Sequence, residues 1–221
     1  MITVITILLF LMARRLYKRW SLILFIPVFF AIMGTIITLK ATETPFTTYF
    51  HESRFLTFLL GPTVVALGTL LYKQLHSIVK NIYPFLLSIF SSCCISLLLI
   101  VAIGRWLDFP TTIIATLLPM GITSPIAIEV TQNLNGDPTV TSVLVIAVGL
   151  FGNMFAPILL RYMGIQHFPA MGTAIGTASH GIGTARAIEI SDETGIYSGL
   201  AMVFNAIFTV IMAPIIWELF F

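Results

Sequence analysis

Charge is what this sequence has least of. Asp, Glu, Lys and Arg make up 9% of its 221 residues, where a soluble domain carries about 25%. With 58% apolar residues, that scarcity excludes a soluble globule and a disordered chain. The net charge is only +2, so no basic field exists to grip a polyanion, and a nucleic-acid binder is excluded. Cysteine is also nearly absent. The only two, Cys93 and Cys94, are adjacent and read as small packing residues, with no partner ligands for a metal or redox role. No P-loop, metal-ligand cluster or Ser-His-Asp order is present, and Gly181-x-Gly183 lacks the strand and third glycine of a dinucleotide fingerprint. Neither an enzyme nor a cofactor is expected.

What is present is length without charge. Residues 20–39, 55–72, 81–104, 138–160 and 194–217 contain no Asp, Glu, Lys or Arg. A bilayer core needs about 20 helical residues, so each run fits one span. Backbone groups in lipid must be satisfied within the segment, which makes the spans helices. Continuous apolarity, rather than alternation, argues against a β-barrel. Residues 1–13 are apolar but short. They lack a basic start and a small-residue cleavage site, and so predict a first, truncated or tilted helix rather than a signal peptide. The expected fold is all-α: one integral membrane domain over residues 1–221, with six to eight membrane segments.

Lys and Arg set the expected orientation. Arg14, Arg15, Lys18 and Arg19 crowd one short loop, and Lys73 and Lys80 mark another on the same side. On the opposite side Lys40, Arg54 and Arg105 are diluted by Glu43, Glu52 and Asp108. The positive-inside rule puts the first set in the cytoplasm and the N-terminus outside.

The second half contains a repeat. Residues 121–130, GITSPIAIEV, match 181–190, GIGTARAIEI, and Ala156-Pro157-Ile158-Leu159 matches Ala213-Pro214-Ile215-Ile216. The units are 110–161 and 168–219. Each is an apolar segment broken by Pro, Gly, Ser and Thr, followed by a full span. Broken helices are tolerated in a membrane where they line a cavity, and transporters place their sites where two such helices meet. Each broken segment splits into pieces of half a membrane's thickness. Two opposed re-entrant hairpins put Arg161 in the cytoplasm, which positive-inside favours over full crossings. Pro119, Gly121, Pro125, Gly181 and Gly183 are the expected break residues, and Pro157 and Pro214 read as matched kinks.

Ionisable residues inside membrane segments are functional candidates. Here they are Glu129, His180, Arg186 and Glu189. The two Glu residues align between the units, but His180 aligns with Met120 and Arg186 with Ile126. The cationic groups therefore stand in one arm only, an asymmetry that suits a site for a small anion. Arg186 has the planar fork that suits a carboxylate, or it pairs with Glu189 three residues on. His180 hydrogen-bonds an anion or couples a proton, or it braces the break. Thr123, Ser124, Thr177, Ser179 and Thr184 line the site or cap half-helices. Glu129 and Glu189 join the site or lie at helix ends. Asn153 and Asn205 lie within spans, where an amide bonds across helices.

Three stretches carry a family resemblance: LLGPTVVALGTLLYKQ at 59–74, LLPMGITSPIAIEV at 117–130 and GTASHGIGTARAIE at 176–189. They resemble the LrgB family of antiholin-like membrane proteins, also called CidB-like and related to the plastid glycolate/glycerate translocator. The resemblance implies a multi-pass protein of a bacterial plasma membrane. It implies either transport of a small monocarboxylate such as pyruvate or glycolate, or non-transporting regulation of murein hydrolase activity and autolysis. It also implies a small holin-like LrgA/CidA partner. By the match, His180, Thr184 and Arg186 carry over as site residues, with Thr123 and Ser124 in the opposite arm. The sequence departs from the family at Met120, where relatives often have a basic residue, and at Gly68-Thr69-Leu70-Leu71-Tyr72, where they often have proline. The expected partners are the lipid bilayer, a small carboxylate, the LrgA/CidA-like protein and a second copy in a homodimer.

Overall fold

A computed structural model of the chain describes residues 2–20, 26–59, 62 and 82–221. Among the described residues every regular element is a helix. The chain divides into two compact units, residues 1–72 and 73–221.

In the first unit, α1 (Ile2–Trp20) packs on α2 (Pro27–Ala41), followed by the short α3 (Phe46–Glu52) and α4 (Arg54–Phe58). Gly34 admits the Leu9 side chain: a Cβ there would lie 2.9 Å from Leu9 Cδ1. Thr35 donates to Thr6 Oγ1 at 3.2 Å. The structure corrects one expectation here. Arg14, Arg15, Lys18 and Arg19 lie within α1 rather than in a loop. Cations suit the negative end of a helix, so they extend its last turns instead of stopping it. The Lys73 and Lys80 loop, and most of the 55–72 run and the 59–74 stretch, lie outside the described residues.

The second unit is framed by three long helices: α5 (Ile82–Trp106), α8 (Pro138–Tyr162) and α10 (Asp192–Phe220). They coincide with the charge-free runs and are long and apolar enough to cross a membrane. Only 22%, 28% and 33% of their most apolar windows is buried within the protein, so most of their apolar surface faces outward, as lipid contact requires. Local chemistry fixes where they start. Asp137 caps α8, accepting from Thr139 N at 2.8 Å and Val140 N at 3.2 Å, with Pro138 in the first turn. Ser191 caps α10, accepting from Thr194 N at 3.0 Å. Both long helices run on past Pro157 and Pro214.

Between these helices the chain twice doubles back. The first hairpin has an outgoing arm, α6 (Thr111–Leu117) with a 3-10 turn (Leu118–Gly121), and a returning arm, α7 (Ser124–Asn133). Asp137 N donates to Thr116 Oγ1 at 2.8 Å, and a Cβ on Gly136 would lie 2.8 Å from Thr116 N. A straight helix would separate positions 116 and 137 by about 30 Å. The second hairpin is α9 (Phe168–Ile190), which reverses at His180, φ 42° and ψ −137°. Gly172 packs against Tyr197 and Ser198, and Ile188 packs against Gly195. Residues 172 and 188, about 24 Å apart in a straight helix, thus meet the same first turns of α10. The first hairpin joins the start of α8 and the second joins its end. Their bases therefore lie at opposite ends of α8.

Candidate functional site at the crossing of two broken helices

The two breaks arise from different local chemistry. In the first, Pro119 lies in the 3-10 turn, Ile122 and Thr123 are extended, and Pro125 starts α7. Proline at these positions removes amide donors that no helix would use. In the second the reversal falls on His180, a non-glycine residue in left-handed backbone. Gly121 and Gly181 were the expected breakers, yet neither has a positive φ. A Cβ on Gly121 meets nothing within 4 Å, and one on Gly181 meets only Met202 Sδ at 3.7 Å. Gly183 is needed for a different reason: a Cβ there would overlap Ser179.

Two bonds hold His180 in this conformation. Its Nε2 donates to the Val145 carbonyl at 3.0 Å, and its own carbonyl accepts from Thr184 Oγ1 at 2.8 Å. Such backbone costs of order 1–3 kcal/mol in a residue with a side chain, and glycine adopts it freely. His180→Gly and His180→Ala both lose the Val145 bond, but only glycine removes the strain. The glycine variant is expected to be the more stable by about 1 kcal/mol, measured by thermal unfolding in detergent.

Two of the long helices, α8 and α10, each hold the hairpin of the other sequence repeat through an asparagine. Asn153 on α8 donates to the Ile182 carbonyl at 2.7 Å. Asn205 on α10 donates to the Gly121 carbonyl at 3.3 Å and the Thr177 carbonyl at 3.0 Å. Both asparagines are buried and lie near the middle of their helices. The ends of the outgoing arms leave carbonyls without an amide donor, and Asn205 supplies donors to two of them, while Asn153 ties the first turn of the returning arm of α9 to α8. The two breaks thus meet at mid-height of the bundle.

At that meeting lies a cavity of about 160 Å³ between α5, α8, α10 and the outgoing arms of both hairpins. Its polar lining is Ser92, Ser96, Thr177, Asn205 and Thr209, with the Cys93 thiol 3.4 Å from Thr209 Oγ1. Leu97, Leu118, Met120 and Val148 make up much of its apolar wall. None of its lining side chains is charged.

The expected site residues distribute unevenly around this cavity. Thr177 lines it, and Met120 and Gly121 form its wall. His180 points instead at Val145 and Gly149 of α8. Arg186 pairs with Glu189 at 2.6 Å, with side chains 19% and 42% exposed. Glu129 is exposed, and Thr123 and Ser124 are half-buried at the start of α7. Ser179 is buried against Gly152 and Gly183, and Thr184 bonds Ser198 Oγ at 2.9 Å. Pro119 is buried behind the first break, and Pro125 is exposed. Sequence reasoning missed Ser92, Ser96 and Thr209 as lining groups, and gave Asn205 only a bond across helices. A signal existed: Ser88, Ser92 and Ser96 recur every four residues along a largely apolar span, with Ser91 the one serine off that row. Among the described residues no three His, Cys, Asp or Glu side chains gather as a metal site.

Comparison with known proteins fits this architecture. The sequence profile of the LrgB-like family matches residues 6–219. The uncharacterized protein YwbG of Bacillus subtilis is 32% identical over 210 residues, covering 95% of this chain and 93% of that protein. An uncharacterized protein of Haemophilus influenzae is 31% identical, covering 99% and 95%. The holin-like protein CidB of Staphylococcus aureus strain Mu50 is 29% identical, covering 98% and 95%. No solved structure gives a significant match. Two broken helices clasped between long apolar spans, in a chain matched almost from end to end, make this a membrane protein of the LrgB/CidB kind, and the chain belongs to the LrgB-like family.

Proposed function

We propose that the protein is a membrane carrier for a small monocarboxylate such as pyruvate or glycolate, and that the solute passes through the cavity where the two hairpins meet. The observation that carries this reading is the pair of asparagine clasps. They hold two interrupted helices at mid-height around a polar cavity, an arrangement that transporters use for their solute sites. In this reading both hairpins re-enter the membrane from opposite faces, and the hydroxyl groups of Ser92, Ser96 and Thr209 donate to the solute's oxygen atoms. Arg186, tied to Glu189, serves the returning arm.

Initial uptake of labelled pyruvate or glycolate into proteoliposomes tests the proposal, with the protein alone and with a small LrgA/CidA-type protein. Uptake above protein-free vesicles is expected. Thr209→Val keeps the shape of the side chain, removes the hydroxyl, and should lower uptake several-fold. No uptake in either preparation sinks the carrier reading. It would leave the second reading, a non-transporting antiholin-like regulator of autolysis acting with that partner, which the name of the CidB relative favours.

A further inference from the structure

A second, larger cavity of about 700 Å³ adjoins the first. The two share Ser92 and Thr177 in their linings. Ser88 and Ser92 on α5 flank the larger cavity, with Thr173 and Thr177 on the outgoing arm of α9, and Ser96 continues the serine row into the inner cavity. Both rows have the four-residue spacing that puts side chains on one helix face. His167 and Glu193 also line the larger cavity. They adjoin the start of α9 and the start of α10, the base of the second hairpin. At its inner end the space stops against Leu118, Met120 and Gly121 of the first hairpin.

The hydroxyls suit transient contact. Ser88 donates to the Phe85 carbonyl at 2.7 Å, Thr173 to Pro169 at 2.7 Å and Thr177 to Thr173 at 2.7 Å. Each can turn its proton to a passing solute and return it afterwards, so an empty passage leaves no orphaned donor. Ser91, on the row of Leu87 and Ile95, lies outside both cavities and bonds the Ser88 carbonyl at 3.1 Å, whereas Ser88, Ser92 and Ser96 share the face that lines them.

We propose that these residues form a one-sided, hydroxyl-lined corridor to the inner cavity, with Ser92 and Thr177 as its neck. It admits small polar solutes held by hydrogen bonds to their oxygen atoms, and it opens only at the base of the second hairpin. The identity of the solute as a monocarboxylate rests on the carrier reading; the corridor itself does not.

Cysteine accessibility tests it. In a Cys93→Ser/Cys94→Ser chain in oriented vesicles, Ser88→Cys, Thr173→Cys and Ser92→Cys are each treated with a charged, membrane-impermeant methanethiosulfonate. His167→Cys marks the mouth, and Ile95→Cys marks the outer face of α5. Ser88→Cys and Thr173→Cys should react only from the His167 side. Ser92→Cys should react from that side several-fold more slowly than Ser88→Cys and at least tenfold faster than Ile95→Cys. Reaction of Ser88→Cys and Thr173→Cys from both faces overturns the proposal. So does reaction of all three no faster than Ile95→Cys. Labelling needs no transport, so one-sided labelling without uptake would keep the corridor and remove the carrier reading.

Discussion

Alanine at Gly176 should be among the most damaging single changes in the second unit. A Cβ there would overlap the backbone carbonyl of Ser198, with Ser198 Cα and C also at 2.7 Å. Backbone inside a long helix cannot swing aside as a side-chain tip can. The substitution must therefore push α9 off α10, and overpacking of this kind costs about 1–3 kcal/mol and occasionally more. The unfolding midpoint in detergent is expected to fall by about 2–4 °C for each kcal/mol lost. Gly181→Ala supplies the contrast. Its new methyl faces only Met202 Sδ at 3.7 Å, so the midpoint should hardly move. Equal losses from the two substitutions would refute the close packing of α9 on α10.

Asn205→Leu should have the largest effect on function. Leucine has similar bulk and offers no amide. The Gly121 and Thr177 carbonyls both lose their Asn205 donor, and each buried orphan costs about 1–3 kcal/mol. The loss falls on both hairpins at once, at the cavity wall. Under the proposed carrier function, uptake is expected to drop more than tenfold. Asn153→Leu removes one bond to the Ile182 carbonyl, which stays within the helix of the returning arm, and should cost less stability than Asn205→Leu. If Asn205→Leu transported like the parent chain, the clasp would be ornamental.

Much of the frame was legible in the sequence. Charge-free runs gave α5, α8 and α10 because lipid forbids both charge and unpaired backbone. The repeat gave two broken segments, each followed by a long helix. Less legible was which residues turn the chain. Pro119, Gly121, Pro125, Gly181 and Gly183 lie at or beside the breaks, but the left-handed residue is His180, held by a bond to Val145 of α8 that no local pattern reveals. The one-armed cations drew attention to His180 and Arg186. Yet Arg186 closes on Glu189 within its own arm, and the cavity is lined by neutral groups from α5, α9 and α10. Sites assembled from several helices depend on rotation about each helix axis, which composition does not state. The serine row on α5 was the available clue, and it shows only once a partner face is known.

The central claim is that two hairpins enter from opposite faces and meet at mid-height. Sided labelling of four single cysteines in the Cys93→Ser/Cys94→Ser chain tests it most directly: Leu107→Cys and Asn133→Cys at the two ends of the first hairpin, and Phe168→Cys and Asp192→Cys at the ends of the second. All four positions are exposed. The account predicts that positions 107 and 133 label from one face, and that 168 and 192 label from the other. Labelling of 107 and 133 from opposite faces would mean that residues 111–133 cross the membrane, and would contradict it.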